Sequence, residues 1–152
     1  MLKWQDVLKL SEQGSPAVKQ PIEKTASQWQ ALLTEEQFHI TRNHGTEHPF
    51  SSDMCQLFTT GTYACTCCDA AGQSNPLFNA DEKFDSGTGW PSFTQAISDN
   101  AVAYIKDESH GMMRIEVICN TCKAHLGHVF PDGPPPSGLR YCINAISLIT
   151  TN

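Results

Sequence analysis

Residues Arg114-Ile115-Glu116-Val117-Ile118-Cys119-Asn120-Thr121-Cys122 decide the fold. The first five alternate polar and apolar, the period of a β-strand with Ile115 and Val117 turned inward. The run ends in two thiols three positions apart, a spacing at which a tight turn offers two sulfurs to one tetrahedral ion. A second such turn, Cys65-Thr66-Cys67-Cys68, completes a set of four thiolates: Cys65, Cys68, Cys119 and Cys122. Four thiolates close the coordination sphere, so the site fits one structural Zn²⁺ that pins strands and leaves no position for a catalytic water. Other readings stay open at this point. The pairs could be redox-active or form a disulfide, or Cys119, Cys122, His125 and His128 could make a local site that leaves Cys65 and Cys68 unexplained. Cys67, between ligands, reads as a small packed residue.

Outward from this strand, the chain reads as mainly β. Residues 62–65, 101–105 and 141–149 are further strand candidates, each bounded by Gly, Pro, Asn or Asp. Helices are expected at the N-terminal end. Ser27 is placed to cap residues 29–33, and Thr34 with Gln37 has the capping-box spacing before Phe38 and Ile40. Residues 43–50 read as a loop. Residues 1–24 form an N-terminal extension to a domain at 25–152. Trp4, Val7, Leu8 and Leu10 could line one helix face, but Gly14, Pro16 and Pro21 break the pattern, so the segment is expected as a loosely held arm or a partner-binding helix.

The bulk numbers set limits. With 152 residues, 39% of them hydrophobic, the chain has enough for one core. A net charge of −6 without a basic tract argues against nucleic acid or an anionic membrane as partner. No apolar run suggests a membrane span, and residues 1–19 lack the pattern of a secretory signal. An odd count of seven Cys with two CxxC pairs favours metal over a disulfide framework, and a reducing cytoplasm is the expected setting.

Leu139-Arg140-Tyr141-Cys142-Ile143-Asn144-Ala145 carries the reactive chemistry. As a strand it would turn Arg140, Cys142 and Asn144 to one side, a thiol between a cation and an amide. Ser86-Gly87-Thr88-Gly89-Trp90-Pro91-Ser92-Phe93 can hold Trp90 as core or as a pocket wall. His125-Leu126-Gly127-His128-Val129-Phe130-Pro131-Asp132 supplies two imidazoles and a carboxylate, and Gly133 to Gly138 is a stiff connector into the Cys142 strand.

These three motifs and the two CxxC pairs, in this order, resemble the B-type methionine sulfoxide reductases over about Trp29 to Leu148. The resemblance implies two twisted antiparallel sheets in an incomplete-barrel arrangement, with the zinc remote from the active site. It implies reduction of the R epimer of methionine sulfoxide in oxidised proteins. Cys142 would be the nucleophile, and His128, His125 and Asn144 would surround the sulfoxide oxygen. Trp90, Phe130, Arg140 and Asp132 would bind substrate, the last two as an orienting pair that favours the thiolate. Many members carry a resolving Cys where this chain has Thr88, and a Ser where it has Ala145. Resolution of a Cys142 sulfenic acid then falls to Cys55 or Cys67, or to an outside thiol. Cys55, in the polar stretch after Ser51, is the expected one, with thioredoxin or a similar dithiol as final reductant. A non-catalytic, zinc-stabilised β-domain that binds a partner protein is the competing class.

Overall fold

The computed structural model describes residues 1–56 and 60–151, with the side chains of Cys55, Gln56 and His110 outside the described set. Three helices lead: α1 (Trp4–Gln13), α2 (Ala26–Leu32) and α3 (Glu35–Arg42). Then come β1 (Thr62–Cys65), the short α4 (Thr66–Ala70), β2 (Pro76–Asn79), β3 (Lys83–Phe84) and β4 (Ser92–Phe93). The chain ends with β5 (Val102–Asp107), β6 (Arg114–Cys119), β7 (His125–Phe130), β8 (Arg140–Ile143) and β9 (Leu148–Thr151).

All strand pairings are antiparallel. One sheet has the order β2-β1-β9 and the other β3-β4-β8-β7-β6-β5; the two do not close into a barrel among the described residues. Aromatic rings join their inner faces. Phe78 of the small sheet stacks on Phe93 of the large one at 4.4 Å between centroids, Tyr63 meets Phe93 edge-on at 5.2 Å, and Phe78 meets Tyr141 at 5.7 Å. Ile115 and Val117 are fully buried, as their alternation predicts. The opposite face of the large sheet is free to carry chemistry. Among the described residues, no helix is long and apolar enough to cross a membrane.

Four local readings need correction. The segment 141–149 is not one strand. The chain leaves the large sheet at Asn144, makes a 3-10 turn over Ala145–Ser147, and joins the small sheet at Leu148 opposite Cys65. Apolar residues on both sides of the turn are buried because they serve two different sheets. Residues 125–130, absent from the strand candidates, form the strand between β6 and β8. A Cβ on Gly127 would lie 2.0 Å from the Cys142 carbonyl oxygen, so close strand approach demands glycine there. Thr25, not Ser27, caps α2: its hydroxyl accepts the Gln28 N–H at 3.2 Å while the Gln28 side chain accepts the Thr25 N–H at 2.8 Å. The Thr34–Gln37 box forms as expected.

The fourth concerns residues 1–24, which are not a loose arm. Val7 of α1 is fully buried and packs toward β5. Beyond the helix, the Asn120 side chain donates to the Pro16 carbonyl at 2.8 Å and Ile22 N–H donates to the Thr121 carbonyl at 2.9 Å.

Candidate active site and metal centre

Register builds the site. Glu116 stands opposite His128, His128 opposite Cys142, and Cys142 opposite Ser92, so four residues from four strands form one row across the large sheet. Directly opposed side chains share a face and lie roughly 5 Å apart at Cβ. The next row carries Asp107 opposite Arg114, and Phe130 opposite Arg140. A cavity of about 150 Å³ opens over these rows, lined by Thr46, Trp90, Arg114, His125, Phe130 and Cys142, with His128 and Asn144 also on its wall. Of the predicted reactive-face residues whose side chains are described, all but Arg140 and Asp132 line it.

Arg140 and Asp132 stand beside the cavity. Asp132 accepts a bidentate pair from Arg140, at 2.9 and 3.2 Å, and the guanidinium lies 4.5 Å from the Phe130 ring centroid. Arg140 does favour the Cys142 thiolate, through its charge and a hydrogen bond, and the Thr88 hydroxyl adds another. Burial is the larger effect, however, and pushes the Cys142 thiol above its ordinary value. Burial therefore works against the thiolate that the flanking cation favours.

The two imidazoles are each tied to a carboxylate. His128 Nε2 lies 2.8 Å from Asp107 Oδ2, and His125 Nδ1 lies 2.6 Å from Glu116 Oε2. Hydrogen bonds from Ser109 and His128 hold Asp107 well below the carboxylate range. An ionised carboxylate only accepts, so Nε2 of His128 carries the hydrogen and Nδ1 of the neutral ring is left as a proton acceptor. Burial lowers the His128 pKa, against the pull of Asp107. Burial would raise Glu116, but its bonds with His125 and His44 keep it below the usual value.

The loop at 43–50 is the site's frame. The Glu47 carbonyl accepts the Trp90 indole N–H at 3.1 Å, and its own N–H donates to Asn144 Oδ1 at 3.2 Å. Its carboxylate accepts the Ile146 N–H at 3.0 Å. Asn144 also donates one amide hydrogen to the Leu126 carbonyl at 3.1 Å, which leaves one hydrogen for the cavity. Phe50 N–H donates to the Gly89 carbonyl at 2.7 Å, and a Cβ on Gly89 would meet Phe50 and Pro49 at 2.7 Å. Trp90 is thus seated between this loop and the sheet. Cys55 follows in the 3-10 turn Asp53–Gln56, and its side chain lies outside the described residues.

Sequence reasoning missed Asp107, Arg114, Glu116, His44 and Glu47. Outward alternation on β6 marks Arg114 and Glu116 as sharing a face, a signal that was available; the two loop residues offer no periodic signal at all.

The thiolate set converges as expected. Sγ atoms of Cys65, Cys68, Cys119 and Cys122 all lie within 4.8 Å of one another and are buried. Cys65 and Cys122 sulfurs are 3.6 Å apart, and Cys68 and Cys119 sulfurs 3.7 Å, far beyond a disulfide bond. Asn75 Nδ2 donates to the Cys119 sulfur at 3.3 Å, and Arg42 approaches Cys122 through its sulfur at 3.8 Å and its carbonyl at 2.9 Å. This donor set fits a tetrahedral metal. The local Cys₂His₂ alternative fails, because His125 and His128 turn to Glu116 and Asp107 instead. Cys67 is fully buried beside the cluster.

Residues 33–152 match the SelR domain family. The chain is 54% identical over 127 residues to the peptide methionine sulfoxide reductase MsrB of Pseudomonas fluorescens, covering 84% of this chain and 94% of that protein. It is 54% identical over 129 residues to the protein of that name from Pseudomonas putida, covering 85% and 93%. For the one from Saccharophagus degradans the identity is 55% over 120 residues, covering 79% and 86%.

Proposed function

This chain belongs to the SelR domain family and is an oxidoreductase acting on methionine sulfoxide, and from that premise we propose that it reduces the R epimer in oxidised proteins through a Cys142 sulfenic acid. The observation that carries this reading is the opposition of Cys142 and His128 on one sheet face, beneath Trp90. The substrate methyl group lies against the Trp90 indole, and Phe130 closes the other side. His128 Nδ1, directly or through one water, takes the Cys142 proton. The thiolate attacks the sulfoxide sulfur, and the same proton, returned by His128 with His125 and Asn144 nearby, goes to the oxygen. The oxygen passes to Cys142: substrate sulfur gains two electrons, and the Cys142 thiol becomes a sulfenic acid.

Arg140, braced by Asp132, stabilises the transient thiolate. The Cys55 thiol then attacks the sulfenic sulfur, water leaves, and a Cys55–Cys142 disulfide forms for thioredoxin to reduce. Attachment of Phe50 to Gly89 supports this, since five residues span at most about 18 Å and keep Cys55 near the Trp90 loop. The setting is a reducing cytoplasm. Cys65, Cys68, Cys119 and Cys122 hold one Zn²⁺, which cross-links the two sheets. A domain that merely binds a partner has no use for this row of groups, and the family overturns that alternative. Product analysis on peptides carrying separated R and S sulfoxides tests the reading. Parent protein consumes only the R form and Cys142→Ser consumes neither; turnover of the S form by the parent, or retained turnover in the variant, would overturn it.

A further inference from the structure

We propose that His44, Glu116 and His125 form a second metal site, for a borderline divalent cation such as Zn²⁺ or Co²⁺, and that filling it switches the reductase off. The three donors converge from three elements. Glu116 Oε2, on β6, lies 2.9 Å from Nδ1 of His44 in the loop after α3 and 2.6 Å from Nδ1 of His125 on β7. All three ligand atoms lie within 4.8 Å of one another. Two imidazoles and a carboxylate are the donor set of three-ligand zinc sites that keep an open fourth position.

Orientation of His125 needs only Glu116. His44 is a second imidazole on the same oxygen, delivered by a residue in the left-handed backbone region at φ 55°, which is uncommon for a non-glycine residue. Burial differs along the cluster: the side chains of His125 and Glu116 are 4% and 10% exposed, whereas His44 is 66% exposed. A cation therefore has a route from solvent, and the outer ligand is free to adjust. Donors around a tetrahedral ion with bonds of about 2.0–2.2 Å sit roughly 3.4 Å apart, so each imidazole must draw back from Glu116 Oε2 by less than about 1 Å.

Charge favours the cation. Glu116 is ionised, and the facing groups Asp107, Arg114 and His128 are engaged with one another: Asp107 bonds Arg114 at 3.3 Å and His128 at 2.8 Å. Glu47, Cys142 and Arg140 also face this side of the sheet, and the Arg140 cation is paired with Asp132 at 2.9 Å. Binding requires a free Nδ1 lone pair on each imidazole, so protons compete with the ion for this site. His125 lines the substrate cavity. An ion on Nδ1 fixes its tautomer, reorients its ring, and draws the Glu116 charge away from the proton-carrying pair.

The inhibitory arm rests on the proposed reductase reading; the binding arm does not. Protein already carrying one zinc equivalent, in a Cys142→Ser background that removes the reactive thiol, is titrated with Co²⁺. A second equivalent is expected, with visible ligand-field bands, no thiolate-to-cobalt charge-transfer band, and affinity at least tenfold weaker in His44→Ala and in Glu116→Gln. Absence of a second equivalent at millimolar Co²⁺, a thiolate band, or parent-like affinity in His44→Ala would overturn the site. With Cys142 intact and no added thiol, Zn²⁺ is expected to slow single-turnover sulfoxide reduction, and His44→Ala to relieve the inhibition. Equal inhibition in both overturns the switch. A parent inactive without Zn²⁺ defeats the reductase reading and leaves the cobalt result to decide the site.

Discussion

Cys142 stands directly opposite His128 on adjacent antiparallel strands, with Ser92 opposite on its other side. The sheet ladder thus fixes the proposed nucleophile and its proposed proton carrier side by side. Burial acts on the two in opposite senses: it raises the thiol and lowers the imidazole. Burial thus favours the uncharged form of both groups, and in the proposed mechanism the ionisation of Cys142 is coupled to attack on the substrate.

The thiol titration follows from this. Reaction of Cys142 with iodoacetamide, followed against pH, is expected to show a midpoint above the free-cysteine value of about 8.5. Arg140→Met moves the midpoint higher, because the guanidinium is the first of the groups that oppose burial, and Thr88→Val moves it in the same direction. A midpoint well below the free value would mean that a preformed thiolate exists after all.

Asp107 should matter without touching substrate. It holds the His128 Nε2–H and raises the His128 pKa against burial. Asp107→Asn removes that charge and permits the wrong tautomer. The rate should fall roughly 10²-fold, the low end of general acid–base effects, and the acid limb of the pH profile should move to lower pH. Profiles of kcat/KM for the two proteins check this; a uniform drop with no displaced limb would point to a folding defect.

Glu47 gives a stability prediction with a definite sign. Burial raises its carboxyl pKa, only partly offset by the amides of Ile146 and Ala145. The folded protein then holds this proton more tightly than the unfolded chain. That contribution is complete below the ordinary value of about 4.3 and is lost as pH rises through the raised one. The stability of Glu47→Gln to urea, with the oxygen that accepts from Ile146 kept, should therefore gain on the parent's as pH rises from 4 to 7. A gap that widens in the parent's favour would contradict the sign.

Much of the scaffold was legible because its signals are local. Alternation on 114–118, paired CxxC spacing and the Thr34–Gln37 box each depend on neighbours within a few residues. What escaped depends on partners far away in the chain. His44 and Glu47 sit in a loop without periodicity, and their roles appear only when Glu116, Trp90 and Asn144 arrive from other elements. Segment 141–149 looked continuous because apolar residues facing two sheets mimic one buried strand. The need for glycine at 127 was not legible because the carbonyl that requires it belongs to Cys142 on another strand.

The four-cysteine cluster joins the end of β1 and the helix after it to the end of β6 and the turn after it. Cys119→Ala should abolish bound zinc and cost several kcal/mol of stability, since metal binding there is folding free energy. Zinc content and denaturant midpoints check it together. A metal-free variant with the parent's midpoint would show that the sheets do not need the cross-link.

Resolution is the last step to test, and it separates Cys55 from Cys67. Cys67 is fully buried beside four thiolates, where attack on a sulfenic acid would require the metal turn to open. Cys55 lies in a short turn five residues beyond the Phe50–Gly89 hydrogen bond. Cys55→Ser is expected to retain dithiothreitol-driven turnover, because a small thiol reaches the Cys142 sulfenic acid directly, and to lose thioredoxin-driven turnover, because no intramolecular disulfide forms. Mass spectrometry after one turnover should find a Cys55–Cys142 bridge in the parent and a trapped sulfenic acid in the variant. Unchanged thioredoxin-driven rates would transfer the resolving role to an outside thiol, and loss of both activities would place Cys55 in the first chemical step.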